Sequence, residues 1–196
     1  MGFSSPFGSD EGLFDDIDTF VPAHLPEPGR FLEGHDVLTG DDHVSFHRRT
    51  RECFEERGVY DMTFDYNLAR LNLDTRHSSA GYRYAEETGD SAVLRAEFTP
   101  TTPFCPQADT LTVGSFRAWN GLADRHGYDL VRVRIAPDAH HGDDEINDRL
   151  AAIERRYLET GDVTGGPDES AGGDSNSMDR TMSPGESGRG SPNAPF

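Results

Sequence analysis

Between Ala92 and Ile135 the hydrophobic period changes twice, and that double change limits the fold more than any other feature of the chain. Ala92, Leu94, Ala96 and Phe98 alternate with Val93, Arg95 and Glu97, the period of two that a strand requires. After a Thr- and Pro-rich stretch at 99–106, Ala108, Leu111, Ser115, Ala118 or Trp119, and Leu122 fall along one side of a helix. Residues 129–135 return to strand, with Val131, Val133 and Ile135 turned inward and Arg132 and Arg134 outward. Strand, helix and strand in this order predict a βαβ unit with parallel strands.

The flanking segments fit around that unit. A helix is expected from about Asp41 to Arg57, with Gly58 as its stop, and a last helix from about 143 to 159 with Ile146, Leu150, Ile153 and Tyr157 as its stripe. Tyr82 and Tyr84 before the turn at 86–90 complete a hairpin with the strand at 92–98, and Trp119 and the tyrosines read as core. Phe64, Tyr66, Leu68, Leu71 and Leu73 predict one interrupted strand. The expected fold is α/β (α+β): a small mixed sheet of three to four strands with helices packed on it, containing one βαβ unit.

Composition sets the domain limits. Residues 161–196 are dominated by Gly, Ser, Asp and Pro and offer little to bury, which predicts a disordered tail. Residues 1–35 are similarly acidic and are expected to be mostly disordered. Their exception is a short amphipathic helix carrying Leu13, Phe14, Ile17, Phe20 and Val21, which either docks on the domain or serves as a partner-binding peptide. The domain proper is then 36–160. Across the whole chain 36 Asp and Glu oppose 18 Arg with no Lys, a formal charge of −18 in 196 residues. That balance argues against nucleic acid and anionic membrane as partners, because phosphates would be repelled. It also matches a very salty cytoplasm, where a Debye length of roughly 3 Å at 1 M salt silences long-range repulsion. No apolar run is long enough to span a bilayer, and residues 1–13 carry no basic region or apolar stretch of a secretory signal, so a halophilic cytoplasmic protein is expected.

Two cysteines, Cys53 and Cys105, are too few for a disulfide scaffold. Cys105 follows a strand and precedes a helix, the place where open α/β units gather ligand sites. With Pro106 at the first helical position, Cys105 is the expected N-cap, where backbone N–H groups favour the thiolate. Thr101, Thr102 and Pro103 stiffen the loop. Cys53, between Glu52 and Phe54, is expected to be the less acidic and less reactive thiol. The alternative is that Cys105 is a small buried hydrophobe. A cysteine hydrolase would need a base, for which His126, His140 and His141 are the candidates. Asp138, His140, His141, Asp143, Asp144 and Glu145 read either as divalent-metal ligands or as a solvated first helical turn. His35, Asp36, Asp41, Asp42, His43 and His47 pose the same choice, with His43 and His47 at chelating i, i+4 spacing.

The run Phe98-Thr-Pro-Thr-Thr-Pro-Phe-Cys-Pro106, then a helix, a Val-rich strand and Ala139-His-His-Gly-Asp-Asp-Glu-Ile-Asn-Asp148, resembles the iron–sulfur cluster assembly family. This is the domain of unknown function 59 group, with SufT-like and PaaD-like proteins and eukaryotic cytosolic targeting-complex relatives. The resemblance covers about 92–160, and this chain has Val59-Tyr-Asp-Met-Thr-Phe-Asp65 where the family carries an Asp-Pro-Glu-Ile-like segment. It implies a non-enzymatic accessory factor in metal–sulfur cluster biosynthesis or delivery. Cys105 would be the cluster or thiol contact, with Thr101, Thr102, Pro103 and Pro106 as its supporting loop. His140 and Asp143 would form a possible second site. The cluster would be held transiently, and since one thiol cannot supply four ligands, the partners would be assembly or client proteins or a homodimer. The alternative is an interaction module of the same fold that has lost cluster chemistry.

Overall fold

The computed structural model describes residues 12–164. Its main sheet has the order β1 (Asp36–Val37), β4 (Gly81–Glu87), β5 (Asp90–Thr99), β6 (Leu130–Ile135). β4 and β5 form the expected antiparallel hairpin, and β5 pairs with β6 in parallel through α2 (Ala108–Asn120). Two further helices, α1 (Gly40–Arg57) and α3 (Asp143–Thr160), complete the mixed α/β fold, and a two-stranded ribbon of β2 (Tyr60–Asp61) and β3 (Tyr66–Asn67) lies beside it. α1 ends at Gly58 in the left-handed region (φ 67), where an L side chain would be strained.

Period-two alternation divides the sheet into two unlike faces. Tyr82, Tyr84, Leu94, Ala96, Phe98, Val131, Val133 and Ile135 are all buried on one face. Trp119 of α2 lies at the centre of the core, its ring 4.8 Å from Phe54 and 5.0 Å from Tyr82, with its indole N–H donating to Thr50. Asn120 ties α2 to β6 by accepting from the Val131 N–H and donating to the Val131 carbonyl. Asn147 does the same for α3 at Ile135.

The other face is charged: Arg83, Arg95, Glu97, Arg132 and Arg134. These side chains are not turned to open solvent as alternation alone predicts. Glu97 is 1% exposed and accepts from the N–H groups of Gly29 (2.5 Å) and Phe31 (3.1 Å). Arg83 donates to the Pro26 carbonyl, and the guanidinium groups of Arg95 and Arg134 lie over the Phe31 ring. Residues 26–32 thus form a strap over the charged face. Glu154 of α3 pairs with Arg132 and Arg134, and Glu87 with Arg95 and Arg132.

Two expectations fail here. The segment carrying Leu13, Phe14, Ile17, Phe20 and Val21 forms no α-helix. Phe14 instead bridges to Asp74 and packs edge-on to Tyr66, and Phe20 lies against His43, so this segment is laid on the domain in extended and turn conformations. The domain consequently begins well before residue 36. The interrupted strand at 64–73 is instead β3 followed by a 3-10 helix, Leu68–Leu73. Asn67 caps it by accepting from the Ala69 N–H, a local bond that competes with strand pairing. The expected disorder of 1–11 and 165–196 concerns residues outside those described.

Gly29 sits so close to the sheet that a Cβ there would fall 2.6 Å from the Glu97 carboxylate. Gly29→Ala should therefore destabilise the domain by about 1–3 kcal/mol, read as a lower denaturation midpoint at unchanged slope. Glu97→Ala, which leaves the half-buried Gly29 and Phe31 N–H groups without an acceptor, should cost about as much or more.

Candidate functional site

Three loops meet at the carboxyl ends of β5 and β6. The 100–107 loop leads into α2, the 136–142 loop leads into α3, and the β2–β3 turn joins from the side. The structure brings Cys105 and His140 together: the His140 ring donates from Nε2 to the Cys105 carbonyl (3.0 Å), while its Nδ1 accepts from the Gly142 N–H. Beside them the His141 N–H donates to the Pro103 carbonyl, and the His141 ring packs 4.2 Å from Phe104. Asp143 turns away, accepting from the Asp138 N–H in its own loop. Thr101, Thr102, Pro103 and Pro106 lie in the turn as expected, and the Cys105 N–H donates to the Thr102 carbonyl.

Sequence reasoning missed the contribution of the β2–β3 turn. Gln107 reaches across to it, accepting from the Met62 N–H and donating to Thr63. Asp61, buried, accepts from the Thr63 and Phe64 N–H groups. The one hint was that this segment departs from the pattern of the family it resembles. Its effect is to set the Asp61 carboxylate near the thiol and to bond the turn that carries the exposed Met62 to the start of α2.

Cys105 is not the N-cap of α2. Gln107 holds that place, Pro106 stands outside the helix, and the Cys105 carbonyl is taken up by Ala108 and His140. Nor is the thiol acidic. Burial pushes it above the ordinary thiol range, and the Asp61 carboxylate adds to this, while the N–H groups of Gln107 and Ala108 pull the other way and lose. Cys53 is 1% exposed and is pushed up to about 11, chiefly by burial.

The other constellations dissolve into structure. Both ring nitrogens of His140 are engaged by backbone, and so are those of His126, which meet the Trp119 carbonyl and the Tyr128 N–H. Neither is placed as a base on the thiol. His35 accepts from the Thr88 N–H, and Asp41 and Asp42 occupy the first turn of α1. His43 and His47 are buried and stacked, and His47 is engaged by the Tyr84 hydroxyl and the Ala69 carbonyl. Among the described residues, no three or more His, Cys, Asp or Glu side chains converge as a metal would require. A cleft of about 560 Å3 between β1, α1 and residues 125–128 lies at the opposite end of the sheet. Among the described residues no helix is long and apolar enough to cross a membrane.

With this geometry the chain can be placed. A family model described as a domain of unknown function (DUF7998) matches residues 12–164, and the chain belongs to that family. No curated protein matches it. The matched span coincides with the described residues, so the strap is part of the family's domain.

Two outcomes follow from the buried groups. Burial holds His43 down at about 3 and His47 at about 4, against an ordinary 6.5. A depressed histidine contributes stability fully above pH 6.5 and loses it as pH falls toward the folded-state value. Unfolding free energy should drop between pH 6.5 and 4, each histidine adding up to about 1.4 kcal/mol per pH unit. His43→Phe should reduce that slope by one proton's worth in a series of denaturant titrations against pH. In alkylation kinetics at pH 7, the Cys53→Ala variant, which retains Cys105, should react faster than Cys105→Ala, because only Cys105 is partly exposed. Both rates should still be rising above pH 8.

Proposed function

We propose that this protein is a cytoplasmic, salt-adapted accessory factor that handles iron–sulfur clusters as cargo, with Cys105 as its contact. The observation that carries this reading is a single half-buried thiol at the carboxyl end of the parallel strand pair. Exposed Phe104 (74%) stands next to it, and exposed Met62 (75%) lies on the turn bonded to Gln107. The order of helix, strand and helix after Cys105, on which the family resemblance rests, supports it. One thiol offers one ligand where a cluster usually takes four. The remaining ligands belong to a client protein, a second copy of the chain or a small thiol, which suits transfer better than storage. The exposed Phe104 next to the thiol is suited to such a meeting of two proteins.

A second reading, an interaction module without cluster chemistry, draws on the thiol's environment: burial and Asp61 keep it protonated, whereas a ligand must be a thiolate. Anaerobic reconstitution with iron, sulfide and excess small thiol in molar salt separates the two. The cluster reading expects wild type and Cys53→Ser to take up iron and sulfide while Cys105→Ser does not. It fails if wild type takes up none and iron–sulfur enzymes keep full activity in cells lacking the gene. Partner binding that survives Cys105→Ser but is lost on Phe104→Ser would favour the module.

A further inference from the structure

Far from Cys105, the extended segment at 14–17 crosses α1 and the 3-10 helix Leu68–Leu73 and leaves a pocket of about 400 Å3. That volume falls within the range of small-molecule sites, which are mostly apolar with a few placed polar groups. Phe14, Ile17, Ala69 and Leu73 provide the apolar walls here. Four polar side chains also line the pocket, and three are committed elsewhere. Asp15 holds the His24 ring at 2.6 Å, both His47 nitrogens are engaged, and Arg70 lies 3.7 Å over the Phe14 ring. Arg51 is the fourth, and its guanidinium enters no hydrogen bond or ion pair among the described residues. Glu55, one turn on, feels the Arg51 charge but accepts its hydrogen bonds from Tyr60 and Asn67.

Behind the pocket lies a buried polar atom that the fold leaves unsatisfied. An adjoining chamber of about 10 Å3, room for roughly one water, shares Asp15, Ile17, His47 and Leu73 as walls. His43, 4% exposed, lines this chamber, and its Nδ1 is buried without a partner. Buried ring nitrogens are ordinarily hydrogen-bonded. A guanidinium with no hydrogen bond or ion pair among the described residues, next to the apolar walls of Phe14, Ile17 and Leu73, describes a ligand with one negative charge and a short hydrocarbon body; the chamber at His43 has room for a water only.

We propose that this pocket binds a small monocarboxylate, its carboxylate paired with Arg51 in a bidentate contact and its apolar part against Phe14, Ile17 and Leu73. A guanidinium matches a carboxylate in geometry and in charge. A phosphate dianion would leave one charge unpaired beside Asp15.

The test is a titration of the full-length, 15N-labelled protein with isovalerate, isobutylamine and inorganic phosphate in separate arms. Isovalerate should give saturable shifts at the amides of 14–17 and 69–73, and the other two should give none. Arg51→Gln should weaken binding about tenfold or more, the loss expected for a charge-assisted pair, and Arg51→Lys less. Arg49→Gln, on the same helix but outside the pocket, should leave affinity unchanged. Arg51 is exposed, so these variants should keep the wild-type amide spectrum without ligand. The proposal is overturned if isovalerate produces no saturable shift, if the amine or phosphate binds as well, or if Arg51→Gln retains wild-type affinity.

Discussion

A carboxylate in the middle of a sheet must find donors or leave the fold, and Glu97 finds them in the backbone of the segment before β1. It stands on β5, which pairs with β4 on one side and β6 on the other, and its oxygens accept from Gly29 and Phe31. The contact takes effect because it closes the charged face. Once 26–32 are held there, Phe31 can lie under Arg95 and Arg134, and Leu32 becomes 1% exposed. β1 follows directly and adds itself to the β4 edge. Residues that composition alone assigns to a loose acidic leader become the cover of the sheet. A buried carboxylate left without these donors would cost several kcal/mol.

The same sheet sets up two chemically different ends. At the carboxyl ends of β5 and β6, Asn147 and His140 lock the start of α3 to the strand end and to the Cys105 loop. The thiol is thereby presented on a stiff surface, partly shielded and protonated, with apolar side chains around it. Beside α1, the extended N-terminal segment roofs a stacked pair of neutral histidines. There the protein keeps imidazole uncharged by burial, with the positive charges of Arg83 and Arg51 nearby adding to the effect.

Much of the scaffold was legible because its signals are local. Leu94, Ala96 and Phe98 against Val131, Val133 and Ile135 read as strands, and Leu111, Ser115 and Trp119 read as a helix face, since each element buries one side only. What failed depended on distant partners. Arg95, Glu97, Arg132 and Arg134 alternate like solvent-facing residues, and nothing local to them announces a strap contributed by residues more than sixty positions earlier. The spacing of Leu13, Phe14 and Ile17 imitates a helix, yet these residues serve an extended path pinned at Asp74. For Cys105 the loop could be anticipated, but neither which histidine lies beside it nor the thiol's acidity could. Burial decides it, and Asp61, which approaches from the β2–β3 turn, adds to the effect. His43 and His47 sit at chelating spacing, but Tyr84 and Ala69, far away in sequence, claim His47.

Residues 12–35 are part of the folded domain and are fastened to it at Glu97. Amide hydrogen exchange of Gly29 and Phe31, followed by NMR on the intact chain, addresses this most directly. Both N–H groups should exchange as slowly as those in the middle of β5, and both should become fast in Glu97→Ala while β5 itself stays protected. Exchange of Gly29 and Phe31 at the rate of an unstructured peptide in the wild-type protein would contradict the account.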